Sequence, residues 1–362
     1  MSRRAAGRGL VAASTLVVVF AVGAGPALAC GGLVSANGTI QLVRTTTLAA
    51  YHDGVEHYVT GFAFEGDGAE FGSIVPLPAN PVRIVRGGDW TLQRLEIEVQ
   101  PPAPVTGMSG AVGTSGPEDA VVIQEKDIDS LHLTVVKGGA FGVGKWATDH
   151  GFLLPPDAPA VLDFYAQRSP YFMAVQFDAA KAAARGESLG DAIPIHLVMR
   201  TKEPWVPLRI LGLGAGPNAP IQADVFLLTD RPPNMLPVPA GATGFGPSAT
   251  GLRQERSETA SSFLLRDLRS DRGMKWLPEH GMWLTFLSLD AKAGQLGYDL
   301  ALNVNGGAPS RVDAGLPPGT GSGSGPGTPA SAWVVLLGTA LLLLMIVVAA
   351  LQRRAGAGGM PA

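Results

Sequence analysis

The stretch TIQLVRTTTLAAYHDGVEHYVTGFAF, residues 39–64, decides the fold class. Thr39 to Tyr51 is rich in Thr, Val and Leu, His52-Asp53-Gly54 supplies a turn, and Glu56 to Phe64 continues with Tyr, Val, Thr and Phe. Two β-prone runs joined by an Asp-Gly turn read as a hairpin. Outward from it, apolar and β-branched runs fall at 72–77, 92–99, 131–137, 171–177, 193–200, 207–213, 221–229 and 296–304. Helical patterns are fewer. Asp157 is placed to N-cap a helix over Ala158–Gln167 that gathers Val161, Leu162 and Tyr165 on one face. Gly144–His150 is a short helix ended by Gly151, Thr259–Arg269 is another, and Asp178–Arg185 forms one or two exposed turns. Strands outnumber helices and do not alternate with them one for one, which argues against a doubly wound parallel sheet. The expected fold is α+β and β-rich, with mostly antiparallel, sandwich-like sheets, a few short helices and one C-terminal transmembrane helix.

The two ends carry their own signals. Arg3, Arg4 and Arg8 precede the apolar run Leu10–Val22, and Ala27-Leu28-Ala29 offers a small-residue cleavage site. That pattern is a secretory signal peptide over residues 1–29, cut between Ala29 and Cys30. The usual apolar residues after a twin-arginine pair are replaced by Ala5-Ala6-Gly7, which favours ordinary Sec export. At the other end, Trp333–Leu351 is free of charge and is followed by Arg353 and Arg354. At ~1.5 Å per residue this run spans the hydrocarbon core, with Trp333 at the outer interface and the arginine pair inside. The expected organisation is therefore a signal peptide (1–29), an extracytoplasmic domain (30–305) with a low-complexity loop at 101–117, a Gly/Pro/Ser spacer (306–330), a span (331–351) and a cytoplasmic tail (352–362). In the spacer, Leu316-Pro317-Pro318-Gly319-Thr320-Gly321 differs from a sortase signal by one inserted residue, which spoils the spacing.

The formal charge of −3 conceals an asymmetry. Five of the 27 basic residues lie at the two ends and none of the 30 acidic ones does, so the domain between them is clearly acidic. Such a domain has no electrostatic footprint for nucleic acid. Cys30 is the single cysteine, so no disulfide forms within the chain and the core must hold by burial. As the first mature residue Cys30 is also a candidate for lipidation. Ala27 and Leu28 stand in the reverse of the usual lipobox order, and a second anchor would be redundant beside the span.

Candidate chemistry is sparse. Gly139 to Lys145 fits the first part of a P-loop, GxxxxGK, but position 146 is Trp where Ser or Thr would hold the metal ion, so a Gly-rich turn is expected. His52, Asp53, Glu56 and His57 fall within six residues and offer zinc-type ligands. Their spacing lacks the helical i, i+4 histidine pair, and a solvated turn is the expected account. Asp149-His150 suits a helix C-terminus, and no Gly-x-Ser-x-Gly elbow stands in the folded part. His132 and His196 within strands, and His280 in a loop, read as structural. Trp90, Trp146, Trp205, Trp276 and Trp283 could stack on sugar rings, but their spread favours packing. No metal or other cofactor is implied.

Several motifs taken in order resemble the bacterial family known as domain of unknown function 2330. They are Ala29-Cys30-Gly31-Gly32, Ser73-Ile74-Val75-Pro76-Leu77-Pro78, Lys145-Trp146 with Gly151-Phe152-Leu153-Leu154-Pro155, a helix ending near Tyr165, Pro204 to Ile210 (PWVPLRI) and Trp283-Leu284-Thr285. The resemblance runs from Cys30 to about Val304. It implies an exported, often tethered protein and no known reaction. Members often carry a second cysteine shortly after Cys-Gly-Gly, where this chain has Leu33-Val34-Ser35. The expected role is a surface-displayed binding or structural module, tethered in the bilayer and meeting an envelope protein or glycan. The alternative is an extracytoplasmic hydrolase whose site assembles only in the fold.

Overall fold

The computed structural model describes residues 32–35, 40–66, 71–99, 120–187 and 193–318. The signal-peptide residues with Ala29 and Cys30, the loop at 101–117, and Trp333, Arg353 and Arg354 lie outside the described residues. In chain order the strands are β1 (Gly32–Ser35), β2 (Ile40–His52), β3 (Val55–Gly66), β4 (Phe71–Pro76), β5 (Pro81–Arg86), β6 (Val121–Ile128), β7 (Leu131–Lys137) and β8 (Tyr171–Phe177). They continue as β9 (Ile193–Arg200), β10 (Trp205–Val206), β11 (Pro220–Thr229), β12 (Asn234–Leu236), β13 (Val238–Ala240), β14 (Ser248–Thr259), β15 (Trp283–Lys292) and β16 (Leu300–Asn303). The helices are α1 (Thr91–Val99), α2 (Ala140–Asp149), α3 (Ala158–Ala166), α4 (Ala179–Arg185) and α5 (Ser262–Ser270). The protein is thus β-rich, and its sheets are mostly antiparallel.

Eight strands form the principal sheet in the order β13-β14-β15-β11-β2-β3-β9-β5. The hairpin read first in the sequence is its centre: Tyr51 faces Glu56 and His52 faces Val55 across the turn, where Asp53 (φ 49°) and Gly54 (φ 78°) take left-handed conformations. Those angles are what Asp-Gly tolerates and most residues do not. A parallel pairing of β11 with β2 joins this hairpin to the later strands. A five-stranded sheet, β1-β4-β8-β7-β6, and a three-stranded one, β10-β16-β12, complete the framework.

Strand alternation gives the principal sheet two unlike faces. Ala49, Tyr58, Leu197, Val225 and Leu227 enter a large core shared with the five-stranded sheet and with α2 and α3. Leu48, Ala50, Val59, Phe226 and Leu228 enter a much smaller core closed by α1, α5 and the segment Asp271–Met282.

Two segments expected as strands take other forms. Residues 92–99 form α1, because Thr91, Arg94 and Leu95 bury one helical face. The carboxylate of Asp271 accepts hydrogen bonds from Trp90 N, Thr91 N and Thr91 Oγ1 and so caps the helix from a distant segment. Residues 207–213 form a 3₁₀ turn over Arg209–Gly212. Its amides serve buried side chains instead of a ladder, as described below. Asp157 stands at the start of α3 without capping it; its carboxylate takes the Gly214 N–H at 3.2 Å. Gly151 does end α2, at φ 82°. Residues 306–317, expected as part of a spacer, pack with the domain. The compact unit runs to Pro317, Ala314 is fully buried, and Asp299 N donates to Ala314 O. No helix among the described residues is long and apolar enough to cross a membrane.

Candidate functional site

The cluster His52-Asp53-x-x-Glu56-His57 is divided three ways by the hairpin. At the turn, His52 Nδ1 lies 2.6 Å from Asp230 Oδ1 and His52 Nε2 lies 3.5 Å from Asp53 Oδ2. These three residues offer ligand atoms within 4.8 Å of one another. Each imidazole nitrogen already faces a carboxylate, so neither is left free to turn toward a metal ion. No Ser, Thr or Cys hydroxyl or thiol among the described residues hydrogen-bonds His52, so the His52–Asp230 couple has no nucleophile to activate.

Glu56 points the other way, into the large core. It is fully buried, and neither carboxylate oxygen has a hydrogen-bond partner among the described residues. Desolvation pushes its pKa up to about 8, so the group is held protonated at neutral pH. Tyr51, directly opposite, sends its hydroxyl to Thr201 O at 2.9 Å. Close by on the same face is a small cavity of ≈ 20 Å³ lined by Thr45, Thr47, Tyr58 and Thr60 among others. Thr47 and Thr60 bond each other at 3.1 Å, while Thr45 Oγ1 has no partner among the described residues. That volume is about what one water needs.

His57 faces the smaller core. Its Nδ1 lies 2.9 Å from His196 Nε2 on the neighbouring strand β9, and its ring stacks on Trp276 with centroids 3.5 Å apart and planes 10° apart. Both imidazoles are buried. Burial lowers the His57 pKa to about 3, helped by His196, Arg83 and His52; burial and Arg83 lower that of His196 to about 4. His196 Nδ1 and Trp276 Nε1 are buried without partners among the described residues. The sequence offered one signal for this pair, a lone histidine inside the apolar run Ile193–Met199.

The other sequence candidates are structural. In the Gly139–Lys145 stretch, Gly142 and Gly144 lie inside α2 and Lys145 Nζ pairs with Asp149 at 2.6 Å, so no phosphate cradle forms. His150 closes α2, its Nδ1 2.7 Å from Trp146 O. His132 pairs with Asp127 on an exposed hairpin, and His280 is exposed in a loop. Trp146 and Trp205 are core residues, Trp276 is half-buried against His57, Trp283 is half-buried on β15 and Trp90 is exposed elsewhere, so no sugar-binding platform forms among the described residues. A glycine-lined hollow of ≈ 420 Å³ between Pro156, Gly212 and Gly294 has Asp157 as its charged group, already bonded to Gly214 N.

A buried network that the sequence did not disclose centres on Asp299. Its Oδ1 accepts from Tyr165 Oη (2.9 Å), Leu208 N (2.8 Å) and Arg209 N (2.9 Å), and its Oδ2 lies 2.8 Å from Arg168 Nη1. Ile210 N donates to Tyr165 Oη at 2.8 Å. The Arg168 guanidinium lies over Phe164, Tyr165 and Trp205, the nearest ring centroid at 3.7 Å. The ordered motifs therefore meet in space. The PWVPLRI segment and the helix holding Tyr165 join at Asp299, and Phe152 of GFLLP fills the place of a side chain at Gly72, where a Cβ would come within 1.6 Å of its ring.

The fold and these sites define a β-rich domain in which the PWVPLRI segment, the Tyr165 helix and Phe152 of GFLLP build the core. Residues 24–230 match the family described as an uncharacterized protein conserved in bacteria (DUF2330), and the chain belongs to that family. The match ends at β11, yet β14 and β15, two further strands of the principal sheet, and α5, which covers it, come later. No curated protein matches the chain. Among solved structures, the crystal structure of baculovirus P35 is similar at 11% identity with a TM-score of 0.36, over 74% of this chain and 97% of that one. A score that low bears on neither fold nor function.

Proposed function

We propose that this is an exported envelope protein whose folded domain stands outside the cytoplasmic membrane on a single C-terminal span and acts as a binding or structural module. The location rests on the basic and apolar start with its Ala29–Cys30 junction, and on Trp333–Leu351 followed by Arg353 and Arg354. The packed stretch through Pro317 leaves a short Gly/Pro/Ser spacer before the span. Cys30 becomes the mature N-terminus, and the acidic domain meets an envelope protein or a glycan and not nucleic acid.

The observation that carries the non-enzymatic reading is the division of Glu56, His57 and His52 among two cores and one exposed turn. A hydrolase needs its base, its orienting group and its nucleophile converging on one open site. Of the two His–carboxylate couples open to solvent, His52–Asp230 has no hydroxyl partner among the described residues, and His132–Asp127 has only Thr134 Oγ1, 3.4 Å from His132 Nε2 on a residue buried within β7.

The test is crosslinking in intact cells of the full chain and of a chain ending at Pro318, with N-terminal sequencing of the mature protein. Cys30 as the first residue, membrane fractionation of the full chain alone, and crosslinks to an envelope protein or glycan are expected. A full chain that stays cytosolic with Met1 retained sinks the location. Hydrolytic turnover by the purified domain that disappears in His52→Gln sinks the binding role.

A further inference from the structure

His57 and His196 belong to neighbouring strands, and one segment of chain covers both. Trp276 lies flat on His57, and Gly273, at φ 81°, brings its backbone so close to His196 that a Cβ there would stand 3.0 Å from Nδ1. The same segment buries Met274, Leu277 and Met282 with Leu264, Leu265 and Leu268 of α5 and Leu95 of α1. Through Asp271 it also holds the start of α1. Helices and segment therefore cover this face of the sheet as one unit, over a core far smaller than the one on the opposite face.

We propose that α1, α5 and Asp271–Met282 form an acid-releasable cap on the principal sheet, seated by the neutral His57–His196 pair and unseated when the pair takes up protons. The 2.9 Å contact requires one ring to donate and the other to accept. Two imidazolium rings have no acceptor between them and repel.

The surrounding charges leave that repulsion uncompensated. The groups that act on the pair from outside it are Arg83 on β5, which disfavours a positive charge on both rings, and His52 on β2, which does so on His57. The nearby carboxylates are engaged elsewhere. Asp271 serves α1, Glu279 pairs with Arg269, Asp267 and Glu98 pair with Arg94, and Glu96 accepts from Thr46. With the cap closed, the rings resist protonation until about pH 4 and 3; once water reaches them they return to the ordinary histidine value near 6.5. Below pH 6.5 the open state thus binds protons the closed state does not, and closure weakens steadily as the pH falls toward 4. Above pH 6.5 the pair contributes nothing to opening. The large core lacks any such buried histidine among the described residues.

Hydrogen exchange of the full chain, followed by mass spectrometry from pH 7.5 to 4.5 and corrected for intrinsic rates, tests this. Peptides of α1, α5 and 271–282 should lose protection at least tenfold between pH 6.5 and 4.5, while peptides of β7 and β8 keep theirs. His57→Gln and His196→Gln should each flatten that dependence, and His52→Gln, at the exposed turn, should leave most of it. If the Gln variants do not fold, the unmutated chain decides by itself through the order of opening. Simultaneous loss in the cap and in β7–β8, or an unchanged pH dependence in folded Gln variants, overturns the proposal.

Discussion

Glu56 and His57 are consecutive residues of one strand, and they answer to opposite sides of the molecule. Glu56 stands in the large core as a neutral acid, with a pKa pushed up to about 8 by burial. His57 stands in the small core as a neutral base, with a pKa pushed down to about 3. Neither face tolerates a charge at this strand, yet the faces fail at opposite ends of the pH scale. The histidine side is destabilised as the pH falls below 6.5. The glutamate side is favoured below pH 4.5 and loses stability as the pH rises through 8, because the unfolded chain gives up a proton that the folded one retains. The contrast shows that burial, alone at Glu56 and joined by neighbouring cationic and imidazole groups at His57, sets a stability window around one strand.

The comparison can be broken hardest on the large-core side. Asp299→Asn removes the negative partner of Arg168 and leaves a guanidinium buried without its anion. A loss of about 3–5 kcal/mol in chemical denaturation is expected. A loss below 1 kcal/mol would mean the network does not hold α3 to β16. Next comes Glu56→Gln, which cannot ionise. Over pH 5 to 8 the unsubstituted protein should lose about 3 kcal/mol that the variant retains. Parallel pH profiles of the two proteins would place the alkaline limit in another residue. The smallest effect belongs to the cap. Gly88→Ala would put a Cβ within 1.9 Å of Asp271 Oδ1 and displace the carboxylate that caps α1. About 1–2 kcal/mol is expected, read as faster exchange in α1 with β7 and β8 unchanged. Equal changes in both regions would mean that the two faces open as one.

What the sequence disclosed follows the same division. The hairpin of β2 and β3 was plain because Thr, Val and Tyr alternate around an Asp-Gly turn, and β7, β8 and β9 match their apolar runs residue for residue. The charged strand β14 was missed because its outer side chains, Arg253, Glu255, Arg256 and Glu258, pair with one another at the sheet's margin and break the apolar pattern. Residues 92–99 misled because Leu, Ile and Val suit a strand as well as a helix, and the deciding cap, Asp271, lies 180 residues away. The site was legible only as a local crowd of His52, Asp53, Glu56 and His57. Its true pairings, His57 with His196 and His52 with Asp230, are set across the sheet, and the lone histidine in the apolar run Ile193–Met199 was their single trace in the sequence.

The parallel joint between β2 and β11 sets a timetable. Thr45 pairs with Ala223, and β11 in turn needs β15, where Ala223 meets Leu289. The central hairpin therefore waits, with one edge open, until most of the domain has been delivered. On the proposed export route, a chain would have to stay slack until late in its passage, and a sheet that locks only when its last long strand arrives would suit that demand.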